Sequence, residues 1–513
     1  MRHPSLTRRG IVAVASLALA STAAVGGVAV ASTADVTDAV TETEPVSTPV
    51  TINTPNGLLM SYVVNADTAG PGHTVVVETA VRKAGGVVVQ SWPSIGVVIA
   101  HSTNGSFRAD VAAAGGTFVE SVGATRSVGV SEGTPAGLGA TWTGAADYKN
   151  GAKKATNGDI EAETTPADTA DPREAEQWDL QMIKADQAHA ITDGSRNVLV
   201  GVLDSGIDRD HPDLVANLDV ASSVNCTDAG RPTATGWEPT TSDHGTHVAG
   251  TIAAARNGVG IVGVAPGVRL ASVKVVNDAG FIYPEYAVCG FVEAGLKHMD
   301  VTNNSYYVDP FEFYCEDQPD QYAAKEAVRR AVNWSTAQGV VHAAAAGNSA
   351  HDLSDKSSFQ DTGSPDDGVA VTRTLNSGCH DIPTELAGVV TVSSMQRFPA
   401  GTLQSRLSSF SNRGLGSIDV AAPGSSILST IVDKNGYGLK SGTSMASPHV
   451  AGVLALMKSV HPTWTPAQLV QKLRSQADDK ACNAATGGPL CVGPVEDNSY
   501  FGEGVVDALD AVS

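Results

Sequence analysis

The strongest constraint in this chain is a set of short apolar runs separated by helix-patterned segments. Residues 198–203, 270–276 and 340–346 are dominated by Val, Leu and Ala, with little of the alternation that a half-exposed strand shows. Such runs belong to strands covered on both faces, as in parallel sheets. Between and after them, residues 247–255 and 445–457 carry helical character. Strand–helix alternation over residues 174–513 predicts an α/β domain built on a doubly wound parallel sheet.

A smaller unit precedes it. Residues 58–66 are β-rich, and the segment that follows, up to Gly85-Gly86, has helical character. Residues 87–90 and 95–100 make two strands around Trp92-Pro93-Ser94. Residues 107–114 make a second helix ending at Gly115-Gly116, and 117–122 return as a strand. The order β-α-β-β-α-β over 58–130 is that of a small α+β, ferredoxin-like unit. Its weak point is residues 74–77, whose β-branched side chains sit poorly in a helix. Residues 131–173 are rich in Gly, Ala, Thr, Asp and Pro without apolar periodicity, and read as a linker.

The first 34 residues have a different character. Arg2, His3, Arg8 and Arg9 precede an Ala-, Val-, Leu- and Gly-rich run over 10–31, and Ala29-Val30-Ala31 and Ser32-Thr33-Ala34 close it. A basic start, an apolar middle and a small-residue exit define a secretory signal peptide over 1–34. The run is just long enough to be a membrane anchor, but its Gly- and Ala-rich character and two cleavage sites favour removal. Thr7-Arg8-Arg9 leaves a twin-arginine route open. The remainder is expected to be secreted and free of the membrane.

Asp and Glu number 54 against 33 Lys and Arg, a formal net charge of −21. That excess argues against nucleic-acid or anionic-membrane partners, which need cations to neutralise phosphate. Six cysteines, all beyond residue 225, predict three disulfides in an exported chain. Fifteen connectivities are possible; the pairing expected is Cys226–Cys289, Cys315–Cys379 and Cys482–Cys491. The last closes a short Gly-rich loop. The second ties the segment after Tyr307 to the loop after Asn348.

Three motifs carry chemistry. Val202-Leu203-Asp204-Ser205-Gly206 puts Asp204 at the carboxyl end of a strand, the edge where sites form in open α/β sheets. His244-Gly245-Thr246-His247 opens one apolar helix, and Gly442-Thr443-Ser444-Met445-Ala446-Ser447-Pro448-His449 opens another. Taken singly, Asp204 reads as a turn residue, Ser444 as an N-cap, and His244 with His247 as a metal pair. Together they supply an orienting carboxylate, a base and a nucleophile.

These motifs, in this order, resemble those of the subtilisin-like serine peptidases. The likeness covers about residues 174–513 and ends in Gly504-Val505-Val506-Asp507-Ala508. It implies a serine endopeptidase in which Ser444 attacks the scissile carbonyl, His244 takes and returns the proton, and Asp204 orients the imidazole. Asn348, in Ala345-Ala346-Gly347-Asn348, is then the side-chain donor to the oxyanion. The substrate strand and pocket fall on Ser305, Tyr306, Tyr307, Ala346 and Gly347. The family's glycine is replaced at Tyr307, so pocket size is open, and Tyr306 and Tyr307 serve equally well as plain hydrophobic wall. No cofactor is needed for the chemistry.

The same resemblance implies a structural calcium ion held by Asp213, in His211-Pro212-Asp213-Leu214, and by Asn257, ahead of Gly263-Val264-Ala265-Pro266. Ordinary turn residues are the other reading of both. It also makes residues 35–130 a propeptide that assists folding, occupies the active site as an intramolecular inhibitor, and is cut off by the enzyme itself. Partners are thus peptide or protein substrates, and the chain is expected to act as a monomer. Because neutral His244 is the base, activity is expected to rise with pH near the free histidine value of about 6.5. Two competing readings are a metal-dependent hydrolase on Asp204, His244 and His247, and an inactive binding scaffold.

Overall fold

The computed structural model describes residues 45–132, 170–432, 436–483 and 490–513. The expected signal peptide, the first residues of the expected propeptide and most of the expected linker lie outside the described residues.

The smaller unit runs β1 (Met60–Ala66), α1 (Pro71–Lys83), β2 (Gly86–Trp92), β3 (Val97–Ser102), α2 (Phe107–Gly115) and β4 (Val119–Ala124). Its strands form an antiparallel sheet in the order β2-β3-β1-β4. Helix α1 forms despite its β-branched residues. Pro71 starts it, Thr74 Oγ1 donates back to Gly70 O (2.8 Å), and Thr74, Val77, Ala80 and Val81 are buried. Burial of that stripe outweighs a propensity cost of a few tenths of a kcal/mol per residue. The last strand starts at Val119, later than the sequence pattern places it, because Gly116–Phe118 closes a 3-10 turn first.

All seven residues of β1 are buried, so this small sheet is covered on both faces. Strands β1 and β4 pack on the helix Pro319–Ala337 of the larger part. Asn65 Nδ2 donates to Ala323 O (2.8 Å), and Arg108 forks onto Asp320 through Nε (2.6 Å) and Nη2 (2.9 Å). Asp320 Oδ1 also accepts from the backbone N–H of Ala124 (2.9 Å).

The larger part holds, among the described residues, a nine-stranded sheet. Its order is Ser405–Leu407, Val389–Arg397, Val341–Ala345, Val301–Asn304, Leu199–Asp204, Arg269–Lys274, Val224–Asp228 and Arg231–Thr233, with Val420–Pro423 also on Val389–Arg397. All pairings are parallel except the two of the edge strands Ser405–Leu407 and Arg231–Thr233, which are antiparallel. Leu199–Asp204, the first of these strands, sits centrally. The next three strands lie on one side of it and the following ones on the other. This reversal is the topological switch point at which α/β sheets open a crevice. Helix Thr443–Val460 packs on the sheet through Met445, Val450, Leu454 and neighbours, all buried. The disulfides are Cys226–Cys289, Cys315–Cys379 and Cys482–Cys491, and no described cysteine is free.

Candidate active site

Register places the site. Leu203 pairs with Asn304 across adjacent parallel strands, so Asp204 and Ser305 leave the same edge side by side. Asp204 is 1% exposed. Both its carboxylate oxygens lie 2.9 Å from His244 Nδ1, and Oδ1 also accepts from Ser205 N (2.7 Å). His244 is the first residue of helix His244–Ala253. The helix comes this close because Gly245 lacks a side chain: a Cβ there would stand 2.5 Å from Gly206 O and 3.0 Å from Asp204 Cβ.

The Asp204 contact holds Nδ1 as the protonated nitrogen and leaves Nε2 able to accept a proton. Burial works against the charged ring, but the Asp204 carboxylate outweighs it and moves His244 above its ordinary value. The side chain keeps 31% of its surface open, so solvent screens part of that field.

Ser444 is the second residue of helix Thr443–Val460, where backbone N–H groups have no helical acceptor. Its hydroxyl donates to Ser305 O (3.2 Å), and Ser305 Oγ donates to Ser444 O (2.9 Å). The second bond has a local cause. Pro448 has no N–H, so the carbonyl four residues before it lacks its helical partner, and Ser305 supplies the donor. The helices that carry Ser444 and His244 pack on one another.

Asn348 is anchored by its oxygen. Oδ1 accepts from Thr443 N (2.8 Å) and Thr443 Oγ1 (2.9 Å), and Asn348 lines the same cleft as Ser444. Gly347 has φ +99°, and a Cβ there would fall 2.2 Å from Asn412 Nδ2. Asn412 Nδ2 in turn holds Ala346 O (2.8 Å). Tyr306 OH donates to Asn304 Oδ1 (3.1 Å) and Tyr307 OH to Asp366 Oδ2 (2.9 Å); both rings line the cleft.

His247 and His449 face elsewhere. His247 Nε2 lies against Ile427 O (3.1 Å) and Gly438 O (3.2 Å), and burial pushes its pKa down to about 3. His449 is buried between Met445 O (2.8 Å) and Asp179 Oδ2 (3.0 Å). The backbone contacts thus occupy Nε2 of His247 and leave its Nδ1 buried without a partner.

At the expected calcium position, Asp213 is buried. Its Oδ2 accepts from Ile261 N (3.0 Å) and Tyr437 OH (2.8 Å), while Oδ1 has no partner. Asn257 Nδ2 donates to Pro212 O (3.1 Å) and its Oδ1 accepts from Val259 N (3.0 Å). Asp171, which the sequence did not single out, accepts from Gly258 N (2.6 Å) and has a second oxygen without a partner. Burial raises both carboxyls, and Asp213 raises Asp171 further. Orphaned carboxylate oxygens beside an amide oxygen fit a hard, oxygen-seeking cation.

Sequence reasoning also missed Thr443 and Asn412, which position Asn348 and Gly347, and four acids in the cleft: Asp309, Glu312, Asp366 and Asp381. Thr443 was legible as the residue before Ser444. The acids were not, since loops bring them in from scattered positions.

The sequence profile of the Subtilase family matches residues 195–493, and the chain belongs to that family. Over 300 residues it is 37% identical to Subtilisin E of Bacillus subtilis, an alignment covering 58% of this chain and 65% of that one. The chain thus spans about two thirds of that relative's length. Subtilisin of Bacillus pumilus is 37% identical over 300 residues, 58% of this chain and 90% of its own. In fold, the chain is similar to the epidermin leader peptide processing serine protease of Staphylococcus aureus, with TM-score 0.63 and 20% identity, covering 89% of this chain and 98% of that one. Fervidolysin of Fervidobacterium pennivorans gives 0.61 and 23%, covering 88% and 61%.

Proposed function

We infer that this chain is a secreted serine endopeptidase that hydrolyses peptide bonds through an acyl-enzyme. The observation that carries the reading is the Asp204 carboxylate on His244 Nδ1 (2.9 Å) at the sheet edge shared with Ser305, where Ser444 is hydrogen-bonded. In the reaction, the Ser444 hydroxyl leaves Ser305 O and gives its proton to His244 Nε2 as its oxygen attacks the substrate carbonyl. The oxyanion receives hydrogen bonds from Asn348 Nδ2 and Ser444 N–H. His244 then protonates the leaving amine, and water repeats the sequence to release the acyl group.

Residues 35–130 are the inhibitory propeptide in this reading, removed by the enzyme itself. The course of the chain after β4 supports it. Ser127 donates to Asp367 through its N–H (2.8 Å) and Oγ (2.5 Å), next to Asp366 of the cleft, so the chain leaves this unit toward the cleft rim. Asp171, Asp213 and Asn257 would hold a calcium ion, which supplies crosslinking of loops and no chemistry. Three disulfides fit an oxidising, extracellular location.

A fluorophosphonate probe tests the reading. It is expected to label Ser444 and to abolish hydrolysis of a denatured protein, with chelators leaving the chemistry intact. Ser444→Ala is expected to lose about 10⁶-fold in turnover, the range known for this nucleophile in subtilisin, and to keep its propeptide attached in a protease-deficient host. Clean processing of that variant would rule out self-cleavage, and chelator-sensitive, probe-resistant hydrolysis would favour a metal-dependent enzyme.

A further inference from the structure

The cleft beside Ser444 is acidic in a way that the catalytic motifs do not explain. It encloses about 390 Å3 and meets Ser444, Asn348, Gly347 and Tyr307. A space touching both the nucleophile and the oxyanion donor is the one open to the side chain of the residue whose carbonyl is attacked. Asp309, Glu312, Asp366 and Asp381 line it, and no Lys, Arg or His does.

These acids are not all satisfied from within. Asp309 accepts from the Ile282 N–H and shares a hydrogen bond with Asp366, which also takes the Tyr307 hydroxyl. Glu312 faces His351 at 3.6 Å. Asp381 is 2% exposed, and its Oδ1 has no hydrogen-bond partner. It lies beneath Gly347, where a Cβ would come within 3.5 Å of Oδ2. The nearby cation, Lys356, is held by both oxygens of Glu385 (2.8 and 2.6 Å). Asp381 directly follows the strand Cys379–His380, which the Cys315–Cys379 bond and pairing with Tyr314–Cys315 hold in place, so it cannot swing out to water.

A buried carboxylate oxygen without a donor is unfavourable unless a ligand brings one. Among the described residues no group of three or more His, Cys, Asp or Glu is arranged to hold a metal ion. A long cationic side chain meets the need instead: it carries its own donors, and its apolar stem passes Tyr306 and Tyr307 before its head reaches the acids.

We propose that the cleft selects lysine or arginine at the residue that contributes the scissile carbonyl, with Asp381 as the specificity-determining carboxylate at the floor and the Asp309–Asp366 pair at the side. The proposal rests on the peptidase reading above and deepens it to a substrate class. Arginine engages the floor with a planar fork and lysine with a point charge.

The test compares peptide substrates identical except at that residue, carrying arginine, citrulline, lysine or norleucine, on enzyme whose active sites are counted by fluorophosphonate labelling. Citrulline keeps the shape of arginine without its charge. The kcat/KM ratio of arginine to citrulline is expected to be about 10²-fold or more, and Asp381→Asn to reduce it about tenfold or more. The ratio in the unaltered enzyme decides the matter even if that variant does not fold, and Asp366→Asn at the rim is a second variant expected to lower it. Equal rates on arginine and citrulline by an enzyme that labels at Ser444 would overturn the pocket assignment and leave the peptidase reading standing. Failure to label would overturn both.

Discussion

Ser305 and Ser444 exchange hydrogen bonds: each hydroxyl donates to the other residue's carbonyl, at 2.9 and 3.2 Å. The pair joins the end of a central strand to the first turn of helix Thr443–Val460, at the carbonyl that Pro448 leaves without a helical donor. Removing the Ser305 hydroxyl leaves that carbonyl unpaired in a mostly buried place. Ser305→Ala is expected to cost about 1–3 kcal/mol of stability, read as a lower denaturation midpoint, and to reduce kcat as the helix start loosens. An unchanged midpoint would mean that water replaces the hydroxyl at no cost.

Asn348→Ala removes the proposed side-chain donor to the oxyanion and frees Thr443. The expected loss is about 10²–10³-fold in kcat with KM nearly constant, the range known for this donor in subtilisin. A change confined to KM would show that Asn348 contacts substrate only in the ground state.

The pH profile follows from the field of Asp204. Because that carboxylate moves His244 upward, the base is already protonated at a pH where free histidine is neutral. Activity is therefore present at high pH and lost on acidification through a value above about 6.5. This places the limb higher than the free-histidine value expected from the mechanism alone. Asp204→Asn removes the field and is expected to shift the limb downward while lowering kcat. Measuring kcat/KM from pH 5 to 9 reads both; an acid limb below 6 in the unaltered enzyme would contradict it.

Arg126 is 2% exposed in its side chain and reaches from the smaller unit to Glu285, which is fully buried, with Nη1 on Glu132 (2.7 Å). Its guanidinium also lies over the Tyr283 ring, 3.8 Å from the centroid. Truncating one member of a buried pair strands the other charge and costs about 3–5 kcal/mol. If residues 35–130 act as the proposed propeptide, that segment added separately with Arg126→Ala is expected to inhibit the remaining enzyme at least about a hundredfold more weakly. Equal inhibition constants would show that the propeptide is held elsewhere.

Calcium is expected to raise the midpoint of thermal unfolding by binding at Asp171, Asp213 and Asn257. A cation at a hundred times its Kd contributes about 2.7 kcal/mol. Since burial raises both carboxyls, protons compete with the ion and the effect is expected to shrink on acidification. Asp213→Asn should leave the midpoint insensitive to calcium or chelator; an insensitive unaltered protein would refute the site.

The sequence by itself determined the parts that depend on local periodicity and contiguous motifs. Apolar runs too continuous for a half-exposed strand specified the parallel sheet, and Gly245, Pro448 and the residues around Asp204, His244 and Ser444 stand within a few positions of the groups they serve. That Asn348 stands in the cleft beside Ser444 was expected from its motif, while its role as oxyanion donor is part of the proposal. Tertiary structure alone decided what distant segments share. The antiparallel order β2-β3-β1-β4 and the start of β4 at Val119 depend on pairing and on a competing turn, which hydrophobic pattern does not rank. Asp171 joins Asp213, and Asp381 lies beneath Gly347, across gaps of more than thirty residues. An acidic residue in a loop reads as solvated surface in any linear window. Only when the chain folds over it does it lose water and remain without a partner.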